Sequence, residues 1–168
     1  MTHPVYGRIE GAVIIIGFGS IGKGTLPLIE RHFGYDACKQ VVIDPDLATH
    51  TFLDQHGHRH LQLALTPENC REVLSNLLGQ GGFCVNLSVD TGSLDLMKLC
   101  RELGVLYMDT VVEPRKGFYF ETPDNADLTN YALRQQVRDH ATAHSGGPTA
   151  VSCCGANPGM VSWFVKED

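Results

Sequence analysis

Short apolar runs alternate with longer amphipathic stretches along this chain. Ala12–Ile16 is a β-branched run bounded by glycines, and unbroken apolarity of that length reads as a strand buried on both faces. Gln40–Asp44, His60–Leu65, Gly82–Ser88, Val105–Asp109 and Thr149–Cys153 read as further strands. Between them lie predicted helices over Ser20–His32, with Pro27 expected to kink it, and Asp46–Gln55. Further helices are predicted over Thr66–Leu78, Ser93–Leu103 and roughly Asp127–His144. Thr66 is the expected N-cap and Pro67 the first helical residue of the third. Val111–Asn125 is a long irregular segment, and Asn157-Pro158 opens a last helix. Six strands alternating with helices predict an α/β architecture with a doubly wound parallel sheet, covered on both faces.

In such a sheet, ligands bind beyond the carboxyl ends of the strands. That selects Gly17–Gly22, Asp44–Asp46, Ser88–Gly92, Thr110–Pro114 and Cys154–Gly159. The first reads Gly17-Phe-Gly-Ser-Ile-Gly22, a G-x-G-x-x-G between a predicted strand and a predicted helix. Gly17 permits the tight turn, Gly19 lets backbone approach a pyrophosphate, and Gly22 allows close helix packing. Ser20 and Ile21 then present main-chain amides at the helix N-terminus. The second strand ends at Asp44, about twenty residues further on, where a carboxylate takes ribose hydroxyls in dinucleotide-binding Rossmann folds. Asp44 favours NAD over NADP, because it repels a 2′-phosphate and no arginine follows in Asp44-Pro-Asp46. Asp46 reads as a helix N-cap. Gly17–Lys23 also fits the start of a P-loop, but Gly24 stands where the magnesium-binding hydroxyl belongs, and Lys23 reads as a solvated side chain.

His56, His58 and His60 look like metal ligands, yet they fall at the wrong sheet end and read as a solvated cluster; no metal is expected. Asp90 could cap the following helix. Glu113, between two valines and a proline, has no capping duty and suits an ammonium group. Asn157 reads as an N-cap whose carboxamide projects toward the nicotinamide. Cys153 and Cys154 read as packed near that ring rather than as a redox pair.

At 168 residues, with 43% hydrophobic and 19% charged residues, the chain has the size of one domain and the composition of a folded one. The net charge of −6 argues against nucleic-acid partners and anionic membranes. Six cysteines without a C-x-x-C pair, no cationic leader and no long apolar run make a reduced, cytoplasmic protein the expectation.

The loops resemble bacterial homospermidine synthases, within the saccharopine-dehydrogenase-like group. The similarity lies in Ile16–Gly22, Thr25–His32, Val42–Pro45, Phe83–Thr91, Asp109–Pro114, Gly117–Phe120 and above all Val151–Phe164. The resemblance implies a transferase of polyamine biosynthesis with recycled NAD. Putrescine is oxidised to an imine, condensed with putrescine or spermidine, and the product reduced by the same NADH, releasing ammonia or diaminopropane. It implies that Gly17, Gly19, Gly22 and Asp44 hold the dinucleotide. Ser88, Asp90, Thr110 and Asn157 would line its nicotinamide half, with Glu113 and Asn157 meeting a substrate amine. A homodimer is implied for the full-length protein. Family members are much longer. The expected organisation is therefore an NAD-binding Rossmann domain over 1–168, with 158–168 starting a helix toward a substrate domain that is absent or truncated, and no turnover by this chain alone.

Overall fold

The computed structural model describes residues 3–89, 91–121 and 126–152. In chain order the strands are β1 (Gly7–Arg8), β2 (Val13–Ile16), β3 (Phe33–Gly34), β4 (Gln40–Asp44), β5 (His60–Gln62), β6 (Phe83–Asn86), β7 (Leu106–Asp109) and β8 (Ala150–Ser152). The helices are α1 (Ser20–His32), α2 (Leu47–Gln55), α3 (Cys70–Leu77), α4 (Ser93–Leu103), α5 (Phe118–Glu121) and α6 (Asn130–Ala143). Six strands form one parallel sheet in the order β5-β4-β2-β6-β7-β8. This is the doubly wound Rossmann arrangement: the chain runs outward from β2 to β5, then returns to lay β6 on the other side of β2. Ile16 stands opposite Ile43 on one side and Asn86 on the other, so Gly17, Asp44 and Leu87 emerge together at one sheet edge.

The apolar runs account for the sheet's burial. Val13, Ile14, Ile15 and Val42 are wholly inaccessible. Ile14, Ile16, Val41, Ile43 and Cys84 pack under α3 and α4 through Leu74, Leu96 and Cys100. Val13, Ile15, Val42 and Val85 pack with Leu26 and Ile29 of α1 and Leu53 of α2. The sheet is not covered on both faces throughout. In β7, Leu106 and Met108 are 40% and 44% exposed while Tyr107 is 2% exposed, so among the described residues one face of this strand is open.

Pro27 lies inside α1 as expected, and both it and Lys23, four residues earlier, lie on the exposed face, where the carbonyl that loses its helical partner is not sealed in the core. Other departures are local. The third helix starts at Cys70 rather than Thr66, because Asn69 Oδ1 accepts from the Thr66 amide and turns the segment first. β5 ends at Gln62 and β6 at Asn86, short of Leu65 and Ser88. α5 interrupts the segment expected to be irregular, and α6 begins at Asn130, with Thr129 accepting from the Ala132 amide at 3.1 Å. A small parallel pair, β1 with β3, was not legible in two-residue stretches. The last predicted helix, 158–168, lies outside the described residues. No helix among the described residues is long and apolar enough to cross a membrane.

Candidate functional site

β2 delivers the chain into a glycine turn whose shape leaves no room for a side chain at Gly17 or Gly22. Gly17 has φ +84°, and a Cβ there would stand 2.7 Å from the Ser88 amide nitrogen. At Gly22 a Cβ would meet the Gly17 carbonyl oxygen at 2.9 Å and the Phe18 ring at 3.0 Å. Gly19 is different: a Cβ there meets nothing within 4 Å, so the absent side chain leaves open space above the main chain. Gly19 is also the N-cap of α1 and contributes no side-chain hydrogen bond. The first intrahelical amide bond is Lys23 to Gly19, at 3.0 Å, so the amides of Ser20, Ile21 and Gly22 have no acceptor within the helix. Bare amides, a partial positive charge and open space together suit a phosphate.

Asp44 ends β4 beside this turn and is 8% exposed. The Phe18 amide donates to Oδ2 at 2.6 Å and the Asp46 amide donates to Oδ1 at 2.8 Å. The carboxylate is thereby tied to the glycine loop with acceptor capacity left on both oxygens, the condition for receiving a ribose hydroxyl. Asp46 caps α2, accepting from the Ala48 amide at 3.0 Å. Lys23 lies exposed over the Phe52 ring, 5.6 Å from its centre.

The cleft above these groups measures about 730 Å³. Its walls include Gly17, Phe18, Gly19, Asp44, Pro45, Ala64, Leu65 and Ser88, with Arg115, Lys116 and Glu121 at another side. That volume lies within the range of small-molecule sites. Arg115 is 2.6 Å from Glu121. Neither cation was singled out from the sequence, because nothing in Pro114-Arg-Lys-Gly117 marks it as turned toward the cleft. Phe18, 1% exposed, was also missed as a constraint on Asp44; as a variable position of the glycine pattern it carries no residue signal.

Ser88 stands on the cleft wall, and its hydroxyl donates to Asn86 Oδ1 at 2.7 Å. Asn86 Nδ2 reaches the Tyr107 hydroxyl at 3.3 Å, which donates to Asp109 at 2.9 Å, and Ser152 donates to the same carboxylate. This buried chain ties the ends of β6, β7 and β8 together. Burial and the Asp109 charge push the Tyr107 phenol well above its ordinary pKa, so it stays a hydrogen donor. Thr110 follows β7 and is exposed. Glu113 is half-buried and does not line the cleft with Asp44 and Ser88. Its backbone is clamped to α4: the Glu113 amide donates to Ser93 Oγ at 2.9 Å, and the Ser93 amide donates to the Glu113 carbonyl at 2.8 Å. Asp90 and Asn157, like Cys153 and Cys154, lie outside the described residues; α4 takes Gly92 as N-cap.

Of the three histidines, His56 is exposed as expected, whereas the other two are not fully solvated. His58 and His60 are partly buried, with His58 3.7 Å from Glu30 and His60 3.7 Å from Asp54. No group of metal-binding side chains occurs among the described residues.

Three comparisons bear on the site. Two curated relatives are homospermidine synthases, from Mesorhizobium japonicum (59% identical) and Blastochloris viridis (58% identical). Each aligns with 98% of this chain, which spans 35% of the relative's length. The crystal structure of the homospermidine synthase from Legionella pneumophila in complex with NAD superposes with a TM-score of 0.74 at 30% identity, over 95% of this chain and 32% of that one. The saccharopine dehydrogenase NADP binding domain pattern matches residues 13–151, and the chain belongs to that family.

Proposed function

We propose that this chain forms the NAD-holding part of a homospermidine synthase, an aminoalkyl transferase acting on putrescine with putrescine or spermidine as second amine. The observation that carries the reading is the pairing of two features at one sheet edge. One is the empty space over Gly19 at the uncapped start of α1; the other is the Asp44 carboxylate pinned beside it. The identity of 59% to a homospermidine synthase supports the choice of reaction.

The residues fit a dinucleotide. Gly17, Gly19, Ser20, Ile21 and Gly22 would receive the pyrophosphate on main-chain amides, and Asp44 the adenosine ribose. Asp44 excludes a 2′-phosphate, since two charged groups would share one buried edge. NAD, when bound, supplies reversible hydride acceptance, so that one amine carbon is oxidised and the condensed product reduced with no net redox change. Ser88, Asp90, Thr110 and Asn157 would surround the nicotinamide half. Glu113 and Asn157 would hold a substrate ammonium, which offers donors that a carboxylate and an amide oxygen accept. The clamp from Ser93 fixes the Glu113 backbone for that task. Since the chain spans 35% of its relatives, turnover is proposed to need the remainder of such a polypeptide.

The test is a chimera in which this chain replaces the matching part of the Mesorhizobium relative. Putrescine and a trace of NAD should give homospermidine and ammonia in equal amounts, with no accumulation of NADH. NADH formed in proportion to diamine consumed would mark an ordinary amine dehydrogenase instead.

A further inference from the structure

We infer that His50 is a positioning residue for the cofactor's adenosine ribose, acting through Asp44; the inference rests on the reading of Asp44 as the ribose acceptor. His50 lies in the first turn of α2 and is 4% exposed. Its Nε2 stands 2.6 Å from the Asp44 carbonyl oxygen. A carbonyl only accepts, so Nε2 carries the hydrogen and donates. Asp44 is paired with Gln62, the last residue of β5, so the sheet provides no further strand residue for the carbonyl at this corner. The imidazole takes the place of that neighbour. Its ring is held in turn by His60, edge-on at 4.2 Å between centroids. His60 is itself fixed by the His58 carbonyl, 3.1 Å from Nδ1, and by Asp54, 3.7 Å from Nε2.

Asp44 is thus held at three points: Phe18 and Asp46 amides on the carboxylate, His50 on the carbonyl. The first two act on a side chain that could still swing with its own peptide plane. The third fixes that plane. A buried imidazole is an expensive way to fill space, since an apolar side chain would do so without desolvating two nitrogens. Orienting the strand end explains its presence, and the H-x-H pattern at His58 and His60 becomes the support of that ring rather than a metal motif.

The test is calorimetric titration of the 168-residue chain with NAD and with its adenosine 2′-deoxy analogue, for wild type, H50L and H50Q. One buried hydrogen bond used in orientation should cost H50L about five- to tenfold in NAD affinity, whereas H50Q, which places a donor near the same point, should stay within about twofold of wild type. With the deoxy analogue, the difference between wild type and H50L should fall to about onefold, because the hydroxyl through which the two sites couple is gone. Equal NAD affinity for H50L and wild type overturns the inference, as does an equal loss for both ligands. Should H50L fail to fold by circular dichroism, H50N, whose amide is too short for the carbonyl, carries the same expectations and the same contradictions. Absence of NAD binding by the wild type overturns the functional reading, and this inference with it.

Discussion

Gly17 and Gly19 stand two residues apart in one motif and lack a side chain for different reasons. Gly17 is required by the fold, because a left-handed φ and contact with the Ser88 backbone both exclude a Cβ. Gly17→Ala should destabilise the protein by about 2–4 kcal/mol in urea unfolding. At Gly19 the fold makes no such demand: on the proposed reading Gly19→Ala should cost no more than the ~1 kcal/mol of an N-cap change and weaken NAD, since the new methyl would occupy the space proposed for pyrophosphate. A fold penalty at Gly19 equal to that at Gly17 would remove the ligand argument. The cysteines divide in a comparable way. Cys38 is exposed, whereas burial, with Cys100 nearby, raises the Cys70 thiol to about 11. The folded state therefore favours the protonated thiol. That contribution to stability is complete below the ordinary thiol pKa and is lost as pH rises through about 11. Alkylation followed by peptide mass spectrometry at neutral pH should label Cys38 quickly and Cys70 slowly, with the gap narrowing only as pH rises toward about 11. Equal rates at neutral pH would contradict the assignment.

Among the elements, α4 and the segment after β7 are joined through one buried hydroxyl. Ser93 is fully buried; its hydroxyl donates to the Val111 carbonyl at 3.1 Å and accepts from the Glu113 amide. Ser93→Ala leaves both buried groups without that partner, so a loss of about 1–3 kcal/mol is expected, with faster hydrogen exchange confined to residues 111–115. Exchange unchanged there would mean that something else holds Glu113. None of this clamp was legible in the sequence, where Ser93 reads only as a helix start. Element type could be read because apolar runs of parallel strands and amphipathic helices are unlike in period. Some ends could be read as well, as at Ser20–His32, Gln40–Asp44 and Ser93–Leu103; others could not, since side chains such as Asn69 decide them by hydrogen bonds that no period encodes.

At the level of the whole molecule, the doubly wound parallel sheet followed from alternation and handedness, while the strand order came from the structure: Gly17, Asp44 and Ser88 share one edge because β2 sits between β4 and β6. What stayed hidden was long-range and polar. The tie from Phe18 to Asp44 spans two strands, and the chain Asn86–Tyr107–Asp109–Ser152 spans three. The open face of β7 was hidden as well, because Val105–Asp109 reads as a fully buried run. A ligand that fastens this edge must stabilise the whole domain. NAD at a hundred times its Kd should add about 2.7 kcal/mol and raise Tm accordingly, and ATP with magnesium should not match it. The central claim, that Asp44 and the glycine turn form an NAD site, is tested most directly by titrating the purified 168-residue chain with NAD and NADP in parallel. Saturable one-to-one binding of NAD, with NADP weaker by about tenfold or more because of the Asp44 carboxylate, is the predicted result; NADP binding as tight as NAD, or no heat from either, would contradict it.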